Sequence, residues 1–94
     1  MYILQIEHPV PDFDSWKRAF GSDPVHRERS GVRRYRVMRP VDDARYAIVE
    51  LEFDGADKAE AMLAALRGLW SGVEGRIMTD PQTRIVETVE SREY

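Results

Sequence analysis

The chain opens on an alternation, with Tyr2, Leu4 and Ile6 set against Ile3, Gln5 and Glu7, the two-residue period of a strand with a buried face. Pro9 and Pro11 end it, because proline brings no amide proton to a sheet ladder. Asp12 then stands where a helix N-cap belongs, Asp14 adds negative charge in the first turn, and Phe13, Trp16 and Phe20 recur at i, i+3 and i+7. That spacing predicts a first amphipathic helix. Gly21 and Pro24 interrupt it, leaving Val25 to Arg29 as a short continuation or a structured loop before Gly31. From Val32 to Arg39 the chain alternates again, Tyr35, Val37 and Arg39 against Arg34, Arg36 and Met38. Pro40, Asp42 and Asp43 supply the turn of a hairpin.

The pattern is cleanest from Tyr46 to Phe53. Ala47, Val49, Leu51 and Phe53 form an apolar side, and Tyr46, Ile48, Glu50 and Glu52 a mixed one. Two acids on one strand face need water or cations, and Arg34 and Arg36 are candidate cross-strand partners, subject to a register that periodicity does not fix. Asp54 is expected to cap a second helix, with Asp57 in its first turn and Ala59, Met62, Leu63 and Leu66 as its apolar stripe. Gly68 is expected to break that helix. Leu69, Trp70 and Val73 resume at helical spacing before Gly75, a loop runs through Asp80 and Pro81, and Arg84 to Glu90 alternates as a last strand.

The order strand, helix, strand, strand, helix, strand is that of a ferredoxin-like α+β fold, a four-stranded antiparallel sheet with both helices on one face. At 94 residues, 1–94 is a single domain with one small core. So short a chain has no third layer for the other sheet face, which carries Tyr46, Ile48 and strand-borne aromatics. A homodimer closing the sheets on each other is therefore expected.

Composition narrows the setting. Hydrophobic residues at 43% and charged residues at 33% describe a globular domain rather than a disordered or coiled-coil chain. No apolar run is long enough to cross a bilayer, and no leader-like start precedes Tyr2, so no membrane association or export is expected. With no cysteine there is no disulfide, thiolate metal site or cysteine nucleophile, which fits a reducing cytoplasm.

The net charge of -3 is unevenly spread: residues 27–45 hold seven arginines against three acids. Guanidinium favours planar, bidentate contact with carboxylate or phosphate. Ion pairing to the acidic remainder, within the monomer or across a dimer interface, is the leading reading, ahead of a small-anion site, and nucleic acid ranks last. RNA-recognition domains share the element order. Their third-strand signature asks for glycine and stacked aromatics where this chain has Ile48, Val49 and Glu50.

Three stretches carry a resemblance across nearly the whole chain. They are Asp12-Phe13-Asp14-Ser15-Trp16-Lys17-Arg18-Ala19-Phe20, Gly31-Val32-Arg33-Arg34-Tyr35-Arg36-Val37 and Val49-Glu50-Leu51-Glu52-Phe53-Asp54. Together they resemble the dimeric α+β barrel superfamily, which includes antibiotic-biosynthesis-type monooxygenases and small polyketide cyclases. The resemblance implies two ferredoxin-like subunits closing their sheets into a barrel. It also implies a cavity between sheet and helices for an aromatic or polyketide ligand. Cofactor-free oxygenation, as in such relatives, needs a substrate that stabilises its own carbanion and a pocket that keeps it dry. Haem-degrading members use an Asn, Trp and His set, and the absence of any Asn here argues against that activity.

His8 and His26 are the side chains that titrate near neutrality. His8 is read as either a general acid or base, or a ring bonded to a loop carbonyl; His26 is expected in solvent. Metal-binding spacings are absent, as are the glycine loops that cradle phosphate. No metal or cofactor is expected. Trp16, Tyr35 and Trp70 are candidates to line a pocket, with core packing the competing reading for Trp16 and Phe20. His8 and Arg34 are the catalytic candidates, Arg34 to hold an anionic or enolate oxygen. The resulting expectation is a homodimer with a cavity for a small organic molecule, acting as a monooxygenase or cyclase-like enzyme. The alternative is a non-catalytic dimeric interaction or ligand-sensing module.

Overall fold

A computed structural model describes residues 1–72 and 79–94. The elements are β1 (Tyr2–Pro9), α1 (Phe13–Gly21), β2 (Arg34–Met38), β3 (Tyr46–Phe53), α2 (Ala56–Trp70) and β4 (Gln82–Glu87). The strands form one antiparallel sheet in the order β2-β3-β1-β4, the ferredoxin-like arrangement expected.

The alternation in β1 and β3 determines the faces. Leu4, Ile6 and His8 of β1 and Ala47, Val49, Leu51 and Phe53 of β3 are buried on one side. Ala59, Met62 and Leu66 of α2 and Trp16 of α1 complete the same core cluster. Asp12 caps α1 as expected, its carboxylate accepting from the Ser15 amide at 3.2 Å. Both histidine placements can also be read directly: His26 is exposed, and His8 is buried to 1%.

Several local expectations need correction. Asp54 does not cap α2: Gly55 occupies that position without a side-chain bond, while the Asp54 carboxylate is drawn to Arg33 Nε at 3.1 Å. Gly68 does not break α2. It sits on an exposed face with open space around it, and its helical cost of about 1 kcal/mol is outweighed by the burial of Ala59, Met62 and Leu66 on the opposite side. Val73 and Gly75, expected to follow that break, lie outside the described residues.

β2 is shorter than the alternation suggested, because the Val32 amide turns back to the Arg27 carbonyl instead of joining the ladder. β4 covers Gln82–Glu87 rather than Arg84–Glu90. Its partner β1 runs out, with Tyr2 opposite Glu87 and a last bond from the Thr88 amide to the Met1 carbonyl.

The uncovered sheet face is less greasy than the pattern implied. Tyr2 and Tyr35 lie across from Phe53 and Leu51 on the helix side, so Tyr46 is the strand aromatic on the open side. Register places Arg34 opposite Glu52 and Arg36 opposite Glu50. A polar chain then crosses all four strands. Arg36 Nη2 donates to Glu50 Oε1 at 2.7 Å, Gln5 Nε2 donates to Glu50 Oε2 at 2.9 Å, and Arg84 Nε donates to Gln5 Oε1 at 2.7 Å. Ile3, Ile48, Met38 and Val86 fill the gaps between these groups. The expectation that the arginine strand pairs with acids within the monomer is met by Arg34–Glu52, Arg36–Glu50 and Arg33–Asp54.

Candidate functional site

The helices do not seal the sheet completely. Between α1, the loop after it, α2 and the centre of the sheet lies a cavity of about 270 Å³. That is near the lower limit of small-molecule sites, a size for a flat ligand of two or three rings. Its floor is Ile6, Val49 and Leu51 from the sheet. Trp16 and Phe20 form one wall, and Leu66, Leu69 and Trp70 the other. The helical spacing that makes α1 amphipathic also lines up its rings. Phe13 to Trp16 and Trp16 to Phe20 are 5.5 and 5.4 Å between centroids, the second pair stacked.

His8 lines the cavity as the polar residue of β1 on the core side. Its ring meets Trp16 edge-on at 5.6 Å. Nδ1 lies 3.1 Å from the Pro9 carbonyl. Because a carbonyl only accepts, Nδ1 carries the proton, and the Nε2 lone pair meets no donor among the described residues. Both sequence readings of His8 are therefore compatible: one nitrogen is bonded to a loop carbonyl, and the other is available as a base.

Burial pulls the His8 imidazole below its ordinary 6.5, with the Pro9 bond opposing in the smaller measure. In the unfolded chain the ring takes its proton near 6.5, whereas the native ring resists until lower pH. The unfolded state therefore binds more protons across that window, and the stability contributed by a neutral His8 is full above about pH 6.5 and lost as pH falls. Urea midpoints measured at pH 7.5 and pH 5 are expected to drop more steeply for the native sequence than for His8→Gln. Equal drops would show that His8 does not titrate as a buried ring.

The remaining candidates separate. Trp16 and Trp70 both line the cavity. Tyr35 does not; it packs edge-on against the far side of Phe20 at 5.2 Å and is about half exposed. Arg34 lies on the opposite sheet face, paired with Glu52 at 3.5 Å, and cannot present its guanidinium to a molecule in the cavity.

The arginine that reaches the cavity is Arg27, which sequence reasoning counted in the basic run and gave no role. The loop after α1 brings it there through left-handed turns at Asp23 (φ 52°), His26 (φ 51°) and Gly31 (φ 100°). Asp23 Oδ1 accepts from the Arg27 amide at 2.9 Å, and Arg27 Nη1 donates to the Phe20 carbonyl at 2.8 Å. The only hint in the sequence was the Asp23-Pro24 pair, a turn initiator that makes a chain reversal there plausible.

Among the described residues no cluster of three or more His, Asp or Glu could hold a metal ion, and no helix is long and apolar enough to cross a membrane.

Neither a protein-family model nor a curated protein matches the chain. Solved structures do. SnoaB, a cofactor-independent oxygenase from Streptomyces nogalater, superposes with a TM-score of 0.76 at 13% identity, over 96% of this chain and 94% of that one. The haem degrader MhuD of Mycobacterium tuberculosis, with two haems in its active site, gives 0.69 at 16% identity, over 97% and 99%. A dimeric ferredoxin-like protein from an uncultured marine organism gives 0.67 at 6% identity, over the full length of both. At these identities the likeness establishes a shared ferredoxin-like α+β fold, the one the sequence resemblance implied.

Proposed function

We propose that the protein is a homodimer in which each subunit holds a small apolar or aromatic molecule beneath α1 and α2, and that it acts on that molecule as a cofactor-free monooxygenase or cyclase-like enzyme. The observation that carries this reading is the cavity wall, apolar and aromatic apart from few polar groups, with the lone-pair nitrogen of His8 set among its rings. A carbon acid held between aromatic rings and conjugated through them to a carbonyl would give its proton to Nε2. The enolate is then the reductant and dioxygen the oxidant: a CH2 becomes C=O, one oxygen is retained and the other leaves as water. Trp16 and Trp70 hold the ring flat and exclude bulk water. SnoaB, of the same fold, is described as a cofactor-independent oxygenase, which supports the oxygenase form of the reading. Haem degradation is disfavoured by a chain without Asn.

The partner face is the open side of the sheet, where Ile3, Ile48, Met38 and Val86 lie between paired charges. The dimeric ferredoxin-like neighbour supports a second copy of the chain.

Oxygen uptake with 1,8-dihydroxyanthrone as the probe tests the activity. The protein is expected to accelerate uptake over the uncatalysed rate, and His8→Gln to lower kcat by about a hundredfold. Tight binding of the anthrone without acceleration would overturn the enzyme and leave the ligand-sensing module.

A further inference from the structure

The cavity has a charged mouth. Arg27 borders both the apolar cavity and an exposed groove that it shares with Asp23, Glu28, Arg33 and Arg34, so it stands between ligand space and solvent. Its side chain is only 13% exposed. The guanidinium carbon lies 4.0 Å from the Phe20 ring centroid and 4.8 Å from that of Tyr35, which holds the cation against two rings. Nη1 gives one proton to the Phe20 carbonyl, and Nε faces Asp23 Oδ1 at 3.5 Å. Among the described residues the Nη2 protons make no hydrogen bond and no carboxylate lines the cavity. A preorganised cation with donors to spare, at the edge of an apolar slot, recognises a negative oxygen on a flat body.

We infer that Arg27 forms an anion subsite at the cavity mouth, and that the preferred ligand is a flat aromatic acid whose carboxylate sits on Arg27 while its rings lie along Phe20 and Trp16 toward His8. This rests on the cavity being a ligand site, and it adds a charge and an orientation. The row His8, Trp16, Phe20, Arg27 is continuous, at steps of 5.6, 5.4 and 4.0 Å. The two polar ends of the slot are therefore separated by two aromatic side chains. A ligand held at Arg27 by its acid group would present its far ring to the base.

The test compares 2-naphthoate with 2-naphthalenemethanol, which share a ring system and differ in charge, by calorimetric titration at pH 7.5. The protein is expected to bind the carboxylate about tenfold more tightly than the alcohol. Arg27→Gln is expected to abolish that preference while leaving the alcohol's affinity within about twofold. Arg27 also ties the loop to α1, so a second variant guards against misfolding: Asp23→Asn keeps a residue suited to left-handed backbone and removes the competing charge, and should raise naphthoate affinity about threefold. Equal binding of acid and alcohol by the native protein, or an unchanged naphthoate affinity in Asp23→Asn, would overturn the anion subsite and leave the cavity reading intact. Failure of both probes to bind would overturn the cavity reading itself.

Discussion

Phe53→Ala is expected to remove about 3–5 kcal/mol of folding stability, a large share of the roughly 5–15 kcal/mol that holds a domain together. Phe53 ends β3 on the helix side with no exposed surface, the largest side chain in the fully buried set. It lies opposite Tyr2 of β1, within the cluster formed by the two central strands and α2. No second layer of core stands behind it, so the space left by the ring cannot be refilled from elsewhere. Urea unfolding followed by circular dichroism should show the midpoint collapse toward zero denaturant. A loss below about 1 kcal/mol would mean that this end of the sheet is not packed as described.

The second large effect concerns assembly. Glu50 is the hub of the polar chain on the open sheet face, accepting from Arg36 and from Gln5, and its side chain is only 17% exposed. In an isolated subunit Glu50→Ala would cost about 1 kcal/mol or less, because water reaches the more exposed Arg36 and solvates it. Under a second sheet the same change would strand a guanidinium in a closed interface, at about 3–5 kcal/mol. The dimer dissociation constant is therefore expected to rise by about two orders of magnitude or more while the fold of each subunit persists. Sedimentation equilibrium should report twice the 10.9 kDa chain mass for the native protein and the chain mass for the variant at the same concentration. Equal association by both would exclude this face from the interface.

What could be read from the sequence follows from which forces are periodic. β3 was legible end to end because its buried and half-buried residues alternate without exception from Tyr46 to Phe53. The Asp12 cap and the row of rings on α1 were legible for the same reason, being local. The face occupied by Arg34 was not, since it depends on how β2 and β3 align, and a shift of one residue would have turned it toward the helices. Asp54 was misread as a cap because its alternative partner, Arg33, is twenty-one positions away in sequence and 3.1 Å away in space.

The cavity itself came only half into view. Trp16, Trp70 and His8 were visible as candidates from their residue types and the elements that carry them. Arg27 was hidden by a loop whose left-handed turns at Asp23 and His26 involve residues that adopt such backbone less often than glycine does. Nothing periodic marks a turn of that kind, and it decides which member of the arginine run meets the cavity.

The central claim is that the space between the helices and the sheet holds a ligand. The chain has two tryptophans, and both line that space. A proton–nitrogen correlation spectrum of the uniformly labelled protein therefore offers two indole signals as local reporters. Titration with 2-naphthoate is predicted to move both, with one shared midpoint. Saturable binding by calorimetry with both indole signals unmoved would place the ligand elsewhere and contradict the account.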